Sequence, residues 1–466
     1  MISPAFPALL LALPAVLPPL TPFENEDDLE PRPGAPGVGD SYFPDHGNGG
    51  HDVQHYDLLL DVDMETDVLT GVATIRTKAT HALSRFNLDL HAMEITEIAV
   101  DGAPATFERE HMEVIITPAK PIAKDAEFEV VVNYQGKPEL APDESHPRGV
   151  GWRRNPSGVY VMSQVAGAAS WFPCNNHPLD KASLSTTVRV KAPYVAAANG
   201  LLLEEKEEDG LRTYSFHAKD PMAPYLATVA VGEFEVLIEE GPNDMPIRTY
   251  YPSEVSVREL KAFSRQAEIV EFFELCYGPY PFDCIGAIIA AEPMGGALET
   301  QTIPVYGRGM PESVVAHEIA HQWFGDSVSV VDWRDLWLNE GFATFSATLW
   351  EEYDQGPDAA ARSMKNNYRF LRGQKVGPSV DPGVRRLFGP EVYQRGSYVL
   401  WCLRNEIGED AFFEVVQEWL AMKFHGNGTT DEFMALCEEI SGMELDAFFA
   451  DMLFGEVIPE NPEFES

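Results

Sequence analysis

The chain has 466 residues, of which 45% are hydrophobic, so it can bury a substantial core and is too long for a single domain. It carries 74 acidic and 33 basic residues, which gives a formal net charge of −41. A surface this acidic repels nucleic acid and anionic membranes, and no apolar run after residue 21 is long enough to cross a bilayer. We therefore expect neither nucleic acid nor a membrane as a partner. The sequence gives no indication of the oligomeric state.

Residues 1–50 form a leader and linker in the predicted organisation. Phe6–Leu17 resembles the apolar segment of a signal peptide, but no Lys or Arg precedes Arg32, and a signal peptide needs a basic start. Prolines at positions 14, 18, 19 and 22 also oppose a helix in this segment. Residues 24–50 are acidic and then rich in Gly and Pro, which is typical of a linker or arm. Both a cytoplasmic and a secreted location stay open.

Residues 51–238 have the pattern of a β-rich domain. Tyr56, Leu58, Leu60 and Val62 recur at every second position, as expected for a strand with one buried face. Turn signals such as Asp101-Gly102 and Asn199-Gly200 separate the candidates. Further predicted strands lie at Phe86–Leu90, Val114–Ile116, Phe128–Val132, Leu184–Val190, Tyr214–Phe216 and Ala227–Val231. This pattern predicts a largely antiparallel domain.

Residues 239–466 are mainly helical in the predicted organisation. Val257–Cys276 has the spacing of one long amphipathic helix, and a short apolar strand, Ile285–Ala290, follows it. Thr429 begins a capping signal for the last of the predicted helices. The other predicted helices are Trp337–Tyr353, Tyr398–Ile407, Ala411–Met422 and Asp431–Ile440. The predicted fold class is α+β, with the chain divided at residues 50 and 238.

The most informative motif is His317-Glu318-Ile319-Ala320-His321. The run Ser313–Phe324 is compatible with a helix, so the two histidines, four positions apart, share one face and can hold one Zn²⁺. Glu318 lies beside them and can act as a base. Eighteen residues separate His321 from Glu340, enough for a second helix to supply a third ligand. Two histidines and one glutamate with an open fourth position predict a catalytic rather than a structural zinc site.

The alternative interpretation is an amphipathic helix that carries two incidental histidines. Three features of the surrounding sequence favour the zinc site. Pro311 and Glu312 suit a first helical turn, Gly325 suits a helix stop, and Glu340 lies in a second helix-prone stretch.

The zinc motif, together with the runs Trp337–Ala343 and Tyr277–Phe282, resembles the zinc aminopeptidases of the aminopeptidase N and leukotriene hydrolase family. The resemblance extends from about residue 38 to 460. It implies an N-terminal antiparallel β-sandwich or saddle domain, followed by a mainly helical, thermolysin-like catalytic domain with one Zn²⁺. In this family a loop of sequence Gly-Ala-Met-Glu-Asn precedes the zinc helix.

Residues 296–300 correspond to that loop and read Gly-Ala-Leu-Glu-Thr. The resemblance implies that Gly296, Ala297 and Glu299 contact the substrate, with Glu299 binding its free amino terminus. Threonine at position 300, in place of asparagine, puts the geometry of the loop in question.

Two more site residues follow from the resemblance. Tyr393-Gln394-Arg395-Gly396 matches the family's Tyr-x-Lys-Gly motif, which implies that Tyr393 stabilises the oxyanion; an aromatic ring packed in the core is the alternative. Gln164, ten residues before Cys174, matches the position of a second amine anchor; a solvated glutamine at a strand end is the alternative.

These residues predict a zinc-dependent aminopeptidase that removes the amino-terminal residue from peptides, with Glu318 activating a zinc-bound water and Tyr393 stabilising the oxyanion. The substrates expected are peptides with a free amino terminus. A thermolysin-like zinc endopeptidase and a catalytically silent scaffold of the same fold are the alternatives, and epoxide hydrolysis would need a hydrophobic tunnel. Because the chain ends at Ser466, before the large helical C-terminal domain of many relatives, we expect an open cleft.

Overall fold

The computed structural model describes residues 30–155 and 157–465. The predicted signal-like segment and the linker residues up to 29 lie outside this range. Within it, no helix is both long and apolar enough to pass through a bilayer. Mainly β structure comes first along the chain and mainly helical structure follows, which confirms the predicted α+β class.

The rest of the predicted linker, residues 30–50, is an arm that packs against both halves of the molecule. Its Ser41 donates hydrogen bonds from the backbone N and the hydroxyl to the carboxylate of Asp332. Its buried Asp40 accepts a bond of 2.9 Å from the backbone N of Trp333 and lies 3.2 Å from Nε2 of His177. The arm therefore connects the β-rich half, which contains His177, to the helical half, which contains Asp332 and Trp333.

The β-rich half consists of three sheets. Its strands are β1 (Arg32–Pro33), β2 (His51–Asp63), β3 (Val68–Ala79), β4 (Leu83–Asp89), β5 (Glu94–Val100), β6 (Ala103–Pro104), β7 (Thr106–Glu110), β8 (Glu113–Thr117), β9 (Glu127–Gly136), β10 (Gly151–Asn155), β11 (Gly158–Met162), β12 (Ala182–Lys191), β13 (Val195–Ala198), β14 (Leu201–Glu208), β15 (Leu211–Met222) and β16 (Val229–Gly232). The sheet orders are β14-β15-β12-β2-β3-β9-β5-β6, β1-β4-β8-β7 and β10-β11-β16-β13. Neighbouring strands are antiparallel except for the pairs β1–β4 and β2–β12, so the predicted antiparallel character is largely confirmed.

The hydrophobic pattern explains how these strands face the core. In β2, the predicted residues Tyr56, Leu58, Leu60 and Val62 are all buried, while the residues between them are half-buried or exposed. One face of that strand is therefore covered, as a period of two requires. In β4, all four residues from position 86 to 89 are buried, so both faces of that strand are covered.

A fourth group of strands lies in the second half of the chain and builds a mixed sheet. Its members are β17 (Phe234–Glu240), β18 (Pro246–Pro252), β19 (Ile285–Ile289), β20 (Ala297–Leu298) and β21 (Val305–Tyr306). They lie in the order β17-β18-β19-β21-β20, which makes β20 an edge strand. The short strands β22 (Ser329–Val330) and β23 (Asn427–Gly428) pair separately. The division of the chain at residue 238 falls within β17 and stays a prediction.

The α-helices of the described residues all lie between positions 257 and 465. They are α1 (Val257–Leu260), α2 (Gln266–Tyr277), α3 (Glu312–Ala320), α4 (Trp337–Gln355), α5 (Pro357–Gln374), α6 (Gly396–Ile407), α7 (Glu409–Met422), α8 (Thr430–Ser441), α9 (Asp446–Met452) and α10 (Pro462–Glu465). The capping signal at Thr429 is confirmed, because its hydroxyl accepts from the backbone N of Glu432 and the Glu432 carboxylate accepts from the backbone N of Thr429. A π-helical turn, Glu391–Arg395, precedes α6 directly.

Three helix predictions need correction. The single helix predicted over Val257–Cys276 is wrong, since the segment is divided into α1, a 3₁₀ turn and α2. At the division the hydroxyl of Ser264 donates to the carbonyl of Lys261 at 2.8 Å, a local bond that competes with continuation of the helix. The long helix α5 was not predicted at all. The third correction concerns α3, which is shorter than the predicted run.

The zinc helix α3 ends at Ala320 rather than at Phe324. His321 keeps helical dihedral angles, with φ −58° and ψ −23°, so it still lies one turn beyond His317. Beyond it the chain tightens into i→i+3 bonds, from the backbone N of Gln322 to Ile319 and from that of Trp323 to Ala320. Such tightening satisfies the last carbonyl groups of a helix and turns the chain away from its axis.

Candidate active site

The three predicted zinc ligands converge at one point between α3 and α4. The Nε2 atoms of His317 and His321 are 3.1 Å apart, and they lie 3.3 and 3.1 Å, respectively, from Oε2 of Glu340. The side chains of His321 and Glu340 are 1% and 2% exposed, whereas that of His317 is 15% exposed. The site therefore reaches solvent on the side of His317.

This donor set fits one zinc ion. A tetrahedral ion with bonds of about 2.0–2.1 Å holds its ligand atoms about 3.3–3.4 Å apart, close to the distances between these three atoms. Nδ1 of His321 lies 2.9 Å from the carbonyl oxygen of Phe324, which can only accept. Nδ1 therefore carries the proton, and Nε2 presents its lone pair to the ion. The fit supports the predicted cofactor, one Zn²⁺.

The protein keeps the carboxylate ligand ionised. Burial alone would raise the pKa of Glu340, but before an ion binds, the charge of protonated His321 and hydrogen bonds from both histidines outweigh burial and lower the pKa to about 2. An ionised carboxylate is the form that binds a metal.

Glu318 lies beside these ligands without being one of them. The residue is 5% exposed, and its carboxylate lies within 4.8 Å of a ring nitrogen of His321. Burial raises the pKa of Glu318 well above its usual range; the charge of His321 opposes this, while Glu299 and Glu340 add to it. A buried carboxylate with a raised pKa is suited to accept a proton near neutral pH.

The loop residue Glu299 reaches the same space. Its carboxylate lies within 4.8 Å of Glu318 and His321, and it accepts a hydrogen bond of 2.9 Å from Nε2 of Gln164. Burial raises the pKa of Glu299 to about 7, which the charge of His321 partly counteracts. The structure thus brings Gln164 and Glu299, 135 residues apart in sequence, into direct contact.

The remaining loop residues are placed by the mixed sheet. Ala297 lies in the edge strand β20 opposite Tyr306, and the carbonyl of Gly296 accepts a hydrogen bond of 3.2 Å from the backbone N of Gly307. Thr300, which raised the question of loop geometry, is fully buried, and its hydroxyl donates to the carbonyl of Ile303 at 2.7 Å. The threonine therefore stabilises the turn within the loop.

Tyr393 lies in the π-helical turn and stacks on His317 with a centroid distance of 6.0 Å. A close approach of two backbones puts it there. A Cβ added at Gly396 would lie 2.8 Å from Cα of Gly341, the residue that follows Glu340 in α4. Two glycines at this crossing let the tyrosine turn approach the metal ligand, so the glycine of the Tyr-x-x-Gly motif has a steric role.

Arg395, which stands where the family has lysine, is fully buried. Its guanidinium donates to the carbonyls of Met452, Val376 and Asp451 at 2.9–3.2 Å. Two of these carbonyls belong to the C-terminal end of α9, where a cation is favourable. The arginine therefore anchors the tyrosine turn to the rest of the helical half.

Three buried residues near the site were not predicted. Gln322 follows the second histidine and contacts the Glu299 loop. Burial and the charge of Glu299 raise the pKa of Tyr225, and burial and the same charge raise that of Asp326. In the sequence, the one feature that points to Gln322 and Asp326 is that they closely follow His321. Tyr225 lies far from the motif in sequence, and no local pattern indicates it.

Comparison with solved structures identifies the family. The M1 zinc metallopeptidase from Deinococcus radiodurans superimposes with a TM-score of 0.85 at 30% sequence identity, covering 91% of this chain and 98% of that one. The models for the Peptidase family M1 domain and the Peptidase M1 N-terminal domain match residues 297–452 and 52–226.

The chain belongs to peptidase family M1.

Two further matches extend the comparison. A variant of the Deinococcus radiodurans enzyme, solved with a Tyr-Ser-Ala substrate, has a TM-score of 0.85 and 30% identity over 91% of this chain and 99% of that one. Leucyl aminopeptidase from Saccharolobus solfataricus is 26% identical over 435 residues, which are 86% of this chain and 53% of that protein. The chain spans about half the length of curated relatives that it matches.

Proposed function

We propose that this M1 chain is a zinc-dependent aminopeptidase that hydrolyses the amino-terminal residue from peptides. The observation that carries the proposal is the distance between Glu299 and Glu318, whose carboxylates lie within 4.8 Å of each other and of His321. In an amino-terminal residue, the ammonium nitrogen and the scissile carbonyl carbon are only about 2.5 Å apart. A group that binds the ammonium must therefore lie a few ångströms from the group that activates the water.

The same distance argues against a thermolysin-like endopeptidase. An endopeptidase has to accommodate further residues on the amino-terminal side of the scissile bond. The carboxylate of Glu299 and the amide of Gln164, which are both buried and hydrogen-bonded to each other, would occupy that space. Retention of His317, Glu318, His321, Glu340 and Tyr393 in one converging site argues against a catalytically silent scaffold.

The edge strand β20 gives the peptide a place to bind. Ala297 lies in this edge strand, Gly296 directly precedes it, and Glu299 directly follows it. An extended peptide can add to such an edge through its backbone, which fixes the direction of the chain without reading its side chains. We assign backbone contacts with the substrate to these two residues and the ammonium contact to Glu299.

Each catalytic role then follows from position. Zinc, held by His317, His321 and Glu340, supplies a Lewis acid when it is bound. The carboxylate of Glu318 takes a proton from the attacking water and gives it to the leaving amine. The hydroxyl of Tyr393 donates to the oxyanion that develops on the scissile carbonyl. The amide of Gln164 orients Glu299 through its hydrogen bond but carries no charge. The formal negative charge that pairs with the ammonium is therefore that of Glu299.

The organisation of the chain is part of the proposal. Residues 51–238 would form the N-terminal domain that contributes Gln164, and residues 239–466 the catalytic domain that contributes the zinc ligands. The pairing of β17 with β18 favours a start of the catalytic unit a few residues earlier, near Phe234.

A pair of substrates tests the function. Purified protein is given leucyl-aminocoumarin and its N-acetylated form, with and without a chelator. We expect rapid, chelator-sensitive cleavage of the free amine and little cleavage of the acetylated compound. Glu299→Gln, which removes the charge and keeps the shape, should raise KM for the free amine about 10- to 100-fold, the range for losing a charge-assisted hydrogen bond. Equal cleavage of both substrates by the unmodified protein would contradict the proposal.

A further inference from the structure

Gln322 connects the zinc helix to the loop that carries Glu299. Its side chain is completely buried, and both polar atoms of the amide are engaged. Oε1 accepts a hydrogen bond of 2.7 Å from the backbone N of Thr302, and Nε2 donates to the backbone carbonyl of Glu299 at 3.3 Å. One amide thus contacts both ends of the four-residue turn 299–302. Gln322 is also the residue next to the ligand His321, so the connection is short.

The turn is held on its other side by the β-rich half. Nδ2 of Asn199 donates to the carbonyl of Gln301 at 2.7 Å, and the hydroxyl of Thr302 accepts from the backbone N of Gly200 at 2.8 Å. Thr302 has φ +67°, in the left-handed region that costs energy for a β-branched residue. Such a conformation persists only when its surroundings enforce it. The turn is therefore fixed by contacts from both halves, and Gln322 supplies the contacts from the metal side.

We propose that Gln322 is a positioning residue, which holds the backbone of the Glu299 turn at a fixed distance from the zinc ligands and so sets where the substrate ammonium binds. This inference rests on the proposed aminopeptidase function. Its physical basis is that the ammonium and the scissile carbonyl belong to the same residue. A substrate whose carbonyl is aligned with Glu318 and Tyr393 cannot follow a displaced carboxylate of Glu299, so the displacement weakens the ammonium contact and appears in substrate binding.

The competing explanation is that Gln322 only fills and satisfies the core. Under that explanation, losing the two hydrogen bonds lowers stability and leaves substrate binding by the folded fraction unchanged. Under the proposal, the loss appears in KM for substrates with a free amine. A measurement that separates KM from kcat and from stability therefore distinguishes the two.

Gln322→Met tests the proposal, because methionine has nearly the same shape and makes neither hydrogen bond. We expect KM for leucyl-aminocoumarin to rise about ten-fold, as for the partial loss of a charge-assisted contact, with kcat changed by less than about three-fold and zinc content unchanged. The matched control is Gln266→Met. Gln266 is a buried glutamine in α2, and its Nε2 donates to the hydroxyl of Thr249 at 3.0 Å. It is remote in sequence from the zinc motif and from the Glu299 turn. That variant should lose stability without a change in KM.

A double-mutant cycle shows whether Gln322 acts through Glu299. If it does, Gln322→Met should have little further effect on KM in the Glu299→Ala background, so the two effects are not additive. Additive effects, an unchanged KM in the single variant, or a loss of zinc with KM unaltered would each overturn the proposal. Should Gln322→Met not fold, Gln322→Glu, which keeps the acceptor for Thr302, enters the same cycle. If the unmodified protein cleaves acetylated and free substrates equally, the proposed function fails; if it discriminates and the cycle is additive, this inference alone fails.

Discussion

The crossing of Gly341 and Gly396 gives a sharp test of how the active site is assembled. In Gly396→Ala the new Cβ would lie 2.8 Å from Cα of Gly341, with backbone on both sides. Carbon atoms in contact prefer about 3.5–4.0 Å, so the two backbones have to separate by roughly 0.7–1.2 Å. No flexible side chain is available at this point to give way.

The tyrosine turn should move rather than α4. α4 has 19 residues and lies largely in the core, whereas the turn Glu391–Arg395 has five residues and joins a loop to α6. We therefore expect Tyr393 to shift by about 1 Å relative to the zinc ligands. A misplacement of that size costs about 100-fold in rate, and overpacking of this kind costs about 1–3 kcal/mol of stability.

Steady-state kinetics on leucyl-aminocoumarin, thermal unfolding and metal analysis measure the three consequences. We expect kcat to fall about 100-fold, KM to stay within about three-fold, and zinc to be retained, because Glu340 does not move. The matched control is Gly373→Ala in α5, where an added Cβ meets no atom within 4 Å. That change should be neutral or stabilise the fold by about 0.5–1 kcal/mol. A kcat for Gly396→Ala within two-fold of the unmodified protein would refute the reasoning.

Three further predictions concern single side chains. Tyr393→Phe should lower kcat about 10²- to 10³-fold with KM nearly constant; an equal loss in binding would argue against a transition-state role. Glu318→Gln should bind zinc and lose about 10²- to 10⁴-fold in turnover, and near-normal activity would remove Glu318 from the mechanism. Glu113 lies opposite Asp89 across β4 and β8, and burial together with the charge of Asp89 raises its pKa to about 9. A carboxyl with a raised folded pKa loses stabilisation as pH rises from about 4.5 to 9, so Glu113→Gln should raise Tm at pH 8 by more than at pH 5. A gain in Tm that is independent of pH would contradict that assignment.

Local patterns in the sequence were sufficient for the elements that depend on near neighbours. The four-residue spacing of His317 and His321 fixes a shared helix face, and the alternation in β2 fixes its buried side, because both follow from backbone geometry alone. The α+β class and the capping box at Thr429 were predictable for the same reason. Ser264 competes locally with the helix between α1 and α2. The hydrophobic spacing does not register this competition, so the prediction of one unbroken helix was wrong.

The resemblance to a family supplied Glu299, Gln164 and Tyr393, which spacing did not. Their placement depends on contacts between segments that are far apart along the chain, such as the hydrogen bond between Gln164 and Glu299. No periodic signal encodes a contact of that kind, since it arises only after both halves have packed.

The sequence by itself determined the chemistry of this protein: a zinc donor set, a base beside it and a fold class to carry them. Only the tertiary structure decided the distances on which that chemistry depends. It placed Glu299 within 4.8 Å of Glu318 and brought Gly396 against Gly341. It also connected the zinc helix to the Glu299 turn through the hydrogen bond between Gln322 and Thr302. The physical reason is that residue types follow from composition along the chain, whereas distances between distant segments follow from how their surfaces pack together.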